Sequence, residues 1–137
     1  MSAAVDPAVA GAIARAVARY DPRLILVGLA SSPVMAQAAA GAGLPYAPEA
    51  FADRAYNPDG SLQARRIPGS LISDPQQAAR QAVNIAQGFV IAHVGARVAI
   101  AAQTLCLHGD NPSAVANAQA VREALTAAGV AVGRLEK

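Results

Sequence analysis

The chain is predicted to be an α/β protein of mostly parallel strands with a β-hairpin insertion, and three observations predict it. Amphipathic helical stretches alternate with short, continuous apolar runs. Four of the helical stretches open on a capping residue followed by proline: Asp6-Pro7, Ser32-Pro33, Asp74-Pro75 and Asn111-Pro112. The polar residues Ser31-Ser32, the segment 49–54 and His108-Gly109-Asp110 each follow an apolar run. In parallel α/β architectures those strand ends converge on the ligand-binding face.

The first helix starts at Asp6-Pro7, because Pro at the first helical position loses no hydrogen bond. Val9, Ile13, Ala16, Val17 and Tyr20 recur at three- and four-residue intervals and are expected to face inward, with Arg15 and Arg19 outside. Asp21-Pro22-Arg23 breaks that helix. Residues 24–27, Leu-Ile-Leu-Val before Gly28, read as a strand buried on both faces. Ser32-Pro33 opens a second helix that glycines 41 and 43 close.

Residues 44–51 form a second strand, weakened by Pro45 and Pro48. Residues 52–73 are a long loop with a turn at Asn57-Pro58-Asp59-Gly60, and loops of that length are usually functional. The third helix begins at Asp74-Pro75, with Gln77 as reciprocal cap, and buries Ala79, Ala82, Val83 and Ala86. Gly88 stops it. Residues 89–101 read as a hairpin turning at Val94-Gly95-Ala96, and residues 104–108 as a further buried strand. The last helix follows Asn111-Pro112 and uses Val115, Ala118, Val121, Leu125 and Ala128; residues 130–132 start one more strand and 133–137 fray.

Length and composition narrow the function. A chain of 137 residues is one domain by default. Its 54% hydrophobic content and mean hydropathy of +0.31 exclude a disordered chain. The ten arginines are dispersed and aromatics make up only 4%, so no nucleic-acid footprint forms. No stretch reaches the ~20 apolar residues of a membrane span. The single Cys106 excludes an internal disulfide and suits a reducing cytoplasm.

The site candidates lie in the segment 49–66, which gathers acids, arginines and Tyr56 in a chain only 15% charged. Glu49, Asp53 and Arg54 suit a carboxylate or phosphate ligand, the guanidinium holding it while an acid shuttles protons. A buried ion-pair network that pins the loop is the competing reading. His108-Gly109-Asp110 suits general acid/base work or local bonding, with Asp110 supporting Asn111 at the helix start. No His or Cys spacing makes a metal site. Cys106 between two leucines is a core thiol, Ser32 a cap, and His93 an ordinary hairpin histidine. Residues 28–31 lack the spacing and the lysine of a phosphate loop.

Residues 49–56 (Glu-Ala-Phe-Ala-Asp-Arg-Ala-Tyr), Asp59-Gly60-Ser61-Leu62, Arg65 and Thr104-Leu105-Cys106-Leu107-His108-Gly109-Asp110 closely resemble the LamB/YcsF family, as does the strand at 24–30. The resemblance runs over residues 3–132. It implies a (β/α) barrel of the deacetylase-like type and a place in the A component of a three-subunit, ATP-dependent 5-oxoprolinase, which opens the 5-oxoproline lactam to L-glutamate. On that basis Asp53, His108 and Asp110 are the expected catalytic residues. Glu49, Arg54, Tyr56 and Arg65 are the expected substrate-binding ones, with ATP as cofactor and the other oxoprolinase subunits as partners.

Family members are about twice this long, and only their second half is matched; a parallel barrel takes roughly 250 residues to close. The expectation is therefore an incomplete barrel: a fragment, a split gene product or the product of a misplaced start. It would be inactive alone and would self-associate or pair with a complementary N-terminal half. A non-catalytic assembly module and a small-carboxylate binder are the competing readings.

Overall fold

The computed structural model describes residues 2–135. After a short 3-10 turn at Ser2–Ala4 come α1 (Pro7–Tyr20), β1 (Leu26–Leu29), α2 (Pro33–Gly41), β2 (Tyr46–Phe51) and α3 (Pro75–Ala86). Then follow β3 (Phe89–Ile91), β4 (Arg97–Ala99), β5 (Thr104–Cys106) and α4 (Ala114–Ala127). The sheet runs β1-β2-β5, parallel throughout, and β3-β4 is a separate antiparallel hairpin. The predicted mixture of mostly parallel strands, helical crossovers and one hairpin is what the chain forms. Among the described residues no helix is long and apolar enough to cross a membrane.

Three of the four predicted caps act as caps. Asp6 accepts from the backbone N–H of Ala8 and Val9, Ser32 from Val34 and Asp74 from Gln76. At Asn111-Pro112 the helix starts later. Asn111 Oδ1 accepts from Ser113 N–H at 2.9 Å, and α4 itself begins at Ala114.

The inner faces of α1 and α4 match the predicted ones only in part: Val17 packs inward on α1, and Val121 and Leu125 on α4, as expected. In α1, Ala10 and Ala14 are buried while Ile13 is 37% and Tyr20 85% exposed. In α4, Asn117, Val121 and Leu125 face in and Val115 is 72% exposed. The alanines let α1 approach Leu26, Met35, Ala39 and Leu44, which form one apolar cluster with them. Two further clusters lie around Ala50, Tyr56 and Val90, and around Ala52, Ala78, Ala82 and Leu125.

Strand β1 starts two residues later than expected, because Leu24 belongs to the turn: its N–H donates to the Asp21 carbonyl at 3.2 Å. It is also open on one side, with Val27 39% exposed. Gly28, read as a stop, sits inside the strand opposite Pro48. A Cβ there would meet Met35 at 2.8 Å and Tyr46 Oη at 2.9 Å, so only glycine fits without displacement. Pro48 is tolerated because its missing N–H points toward β5 one residue before that strand pairs, at Glu49 opposite Thr104.

The loop 52–73 is folded back on itself. Bridges join Arg54 to Leu71 and Tyr56 to Leu62, and Gly60 turns the tip with φ +80°. Residues 130–132 form no strand; Glu136 and Lys137 of the expected frayed end lie outside the described residues.

Tyr46 and Tyr56 offer a stability contrast. The Tyr46 hydroxyl is buried without a partner, whereas that of Tyr56 accepts from Phe51 N–H at 2.8 Å. Removing an unsatisfied buried hydroxyl removes a desolvation cost. Tyr46→Phe is expected to be neutral or to stabilise by up to about 1 kcal/mol in urea titration.

Candidate active site

The site is produced by strand register. Glu49 faces Thr104 and Phe51 faces Cys106 along the parallel β2–β5 pair, so one step further Asp53 meets His108. Asp53, 2% exposed, accepts the backbone N–H of His108 at 2.7 Å through Oδ2. The ring Nδ1 of His108 lies 2.9 Å from Oδ1 and 3.0 Å from Oδ2 of the same carboxylate. A carboxylate only accepts, so Nδ1 carries the proton and Nε2 is the ring nitrogen left for other partners. Phe51 stacks on the imidazole with centroids 5.6 Å apart and planes at 21°. Carboxylate and aromatic ring together hold the imidazole in one orientation.

Glu49 is half-buried at the same strand end. Burial pushes its carboxyl above the ordinary range, and the His108 imidazole pulls it part of the way back. Cys106 is likewise pushed up by burial, then by Glu49 and Asp53, so it stays an unreactive thiol. Glu49, Asp53 and His108 therefore share one electrostatic environment.

The other sequence candidates have different surroundings. Arg54 is 5% exposed, and its guanidinium donates to the carbonyls of Gln63 at 2.6 Å and Ser70 at 3.3 Å. Its pKa is lowered, first by burial and then by Arg65. Tyr56 is fully buried, with its hydroxyl committed to Phe51. Both were expected to face a ligand; both are turned inward, Arg54 onto carbonyls of its own loop and Tyr56 onto the end of β2. Pinning of the loop, the competing reading of Arg54, is what the contacts describe, though through carbonyls rather than an ion pair. Arg65 and Asp110 meet at 3.7 Å with side chains 54% and 71% exposed, a loose pair at the rim. His93 lies outside this group, on the hairpin, with Nδ1 3.3 Å from the Tyr56 carbonyl. Among the described residues no three His, Cys, Asp or Glu side chains gather as metal ligands.

Two polar residues absent from the sequence candidates brace the site. Asn111 Nδ2 donates to the His108 carbonyl at 3.2 Å, tying the strand end to the start of α4. Gln81, on α3, donates to the carbonyls of Phe51 at 2.8 Å, Ala52 at 3.1 Å and Arg54 at 2.7 Å. Its signal lies in the helix pattern: a glutamine at an inward position among Ala78, Ala82 and Ile85.

Comparison with known proteins agrees with the resemblance carried by these motifs. The model of the LamB/YcsF family matches residues 1–137. The A component of 5-oxoprolinase from Chloroflexus aggregans is 50% identical over 131 residues, covering 95% of this chain and 52% of the relative. Its counterpart from Thermus thermophilus is 49% identical over 133 residues, with 96% and 53% covered. The crystal structure of a lactam utilization protein from Thermus thermophilus superposes with a TM-score of 0.86 at 47% identity, covering 96% of this chain and 52% of that one. The chain thus spans about half the length of the curated relatives it matches.

Proposed function

The chain belongs to the LamB/YcsF family, and on that premise we propose that it is the C-terminal half of a 5-oxoprolinase A component. In that role it takes part in opening 5-oxoproline to L-glutamate with hydrolysis of ATP. The observation that carries the reading is the Asp53–His108 pair, formed across two strand ends in a chain about half identical to proteins bearing that name. Opening a lactam requires a proton for the departing nitrogen and removal of one from the attacking oxygen. An imidazole with one nitrogen held by a buried carboxylate and the other free can do both. Asp53 orients the ring and His108 Nε2 moves the proton. Glu49, with its raised pKa, is a second proton carrier.

Of the two candidate guanidiniums, Arg54 and Arg65, Arg65 is the one exposed enough to take the substrate carboxylate, exchanging Asp110 for it. Arg54 and Tyr56 contribute by holding the loop. The residues around the pair do not suit a triphosphate. Two carboxylates, Glu49 and Asp53, stand there, and the buried guanidinium is already spent on carbonyls. ATP contacts are therefore assigned to the rest of the assembly.

The three parallel strands are read as part of an incomplete barrel. The outer edges of β1 and β5 are the places where a complementary half, or a second copy, would add strands. The other oxoprolinase subunits are the further partners, and the compartment is the cytoplasm.

The test supplies the complementary half and the remaining subunits and measures glutamate released from 5-oxoproline with ATP. Arg65→Ala is expected to shift the midpoint of thermal unfolding little, since an exposed pair contributes about 0–1 kcal/mol. The same change should raise KM for 5-oxoproline about tenfold or more. No glutamate release from the completed assembly would overturn the enzyme reading in favour of an assembly module.

A further inference from the structure

Gln81 does more than fill space. Between β2 and β5 the ladder includes Ala52 N–H to the Cys106 carbonyl at 3.1 Å. In an unbroken parallel ladder the next bond would run from His108 N–H to the Ala52 carbonyl. It does not form. His108 N–H goes to Asp53 Oδ2 instead, and the Ala52 carbonyl is taken by Gln81 Nε2. The same amide nitrogen also reaches the carbonyls of Phe51 and Arg54, so its two hydrogens serve three acceptors and one is shared. One side chain, 8% exposed, thus gathers three carbonyls that flank Asp53. Without a donor those oxygens would be buried, unsatisfied and mutually repulsive.

We propose that Gln81 is the positioning residue of the site: by drawing the carbonyls of residues 51, 52 and 54 toward α3, it turns the Asp53 carboxylate across to His108. The exchange of partners at the strand end is what frees that carboxylate's target, the His108 N–H, from the ladder. The inference rests on the reading of Asp53 and His108 as the reactive pair for its functional weight alone. The positional claim concerns this chain by itself.

The test uses the full 137-residue chain, isotope-labelled, in the variant Gln81→Met, which keeps the volume and removes the donor. Two exchange rates are read at one pH: that of the downfield Nδ1–H proton of His108 and that of its backbone N–H. Both are expected to rise by about tenfold or more as the carboxylate loses its fixed direction. Ile85→Val, on the same inner face of α3 but with no hydrogen-bond donor to offer these carbonyls, should leave both near wild type. Wild-type exchange at both protons in folded Gln81→Met would overturn the proposal. If that variant does not fold, Gln81→Asn, which keeps the amide but is one methylene short, gives the same reading with the same two outcomes. Turnover in the completed assembly is measured separately. Faster exchange with unchanged turnover would keep the positioning role and overturn the functional reading of the pair, so the two failures are distinguishable.

Discussion

Asp53→Asn is expected to cost about 2 kcal/mol in urea titration, because the carboxylate accepts both the backbone N–H and the ring Nδ1–H of His108. An asparagine offers one oxygen and one NH2. With its oxygen on the backbone N–H its NH2 faces Nδ1, which must then either oppose a donor or give its proton to Nε2. The imidazole then loses its fixed tautomer as well as its anchor. In the completed assembly, glutamate release from 5-oxoproline should fall by about 10²–10⁴, the usual worth of a positioned proton carrier. Asp53→Glu separates chemistry from folding. Activity lost in Asp53→Asn but retained in Asp53→Glu favours acid/base work. Equal loss of folding in both favours a carboxylate whose task is to pin the loop.

The second large effect is alkaline. Burial pushes the Tyr56 hydroxyl up to about 12, against a weaker pull from its bond to Phe51 N–H. The unfolded chain gives up that proton near pH 10, so the folded state holds it more tightly. Stability from this group is therefore complete below about pH 10 and is lost as the pH rises toward about 12, some 3 kcal/mol in all. Urea titrations across that interval, paired with phenolate absorbance, should show unfolding and ionisation of Tyr56 advancing together. Tyr56→Phe should lose about 1–3 kcal/mol at neutral pH, because Phe51 N–H is left buried without an acceptor. It should also lose the Tyr56 share of the alkaline decline. A wild-type protein whose stability is flat across that interval would show that the phenol is not held in the buried geometry described.

Much of the architecture is legible in the order of residues. Three of the four caps act where local chemistry puts them, since a side chain that caps its own helix needs only neighbours in sequence. The hairpin turn is legible for the same reason, with Gly95 at φ +85° between β3 and β4. Helix faces are harder. In a chain so rich in alanine, the larger apolar residues mark an inward face poorly. Ala10 and Ala14 are buried where Ile13 and Tyr20 were expected, and α4 turns the polar Asn117 inward, with its amide donating to the Ile72 carbonyl at 3.1 Å. Close packing favours the small side chain over the more hydrophobic one.

The candidate site shows the same division between local and non-local. Its acids and bases could be collected from the sequence, because functional groups follow strands in this class of fold. The sequence by itself determined the alternation of helices and parallel strands, the position of the polar residues at strand ends and the family to which the chain belongs. Only the tertiary structure decided which of those residues meet. Asp53 and His108 are 55 residues apart, and they touch because β2 and β5 pair in one register. A slip of one residue would turn every side chain of the strand to the opposite face. Arg54 and Tyr56 stand near Asp53 in sequence yet point inward, because the buried carbonyls of the folded-back loop and the buried N–H of Phe51 at the end of β2 need partners.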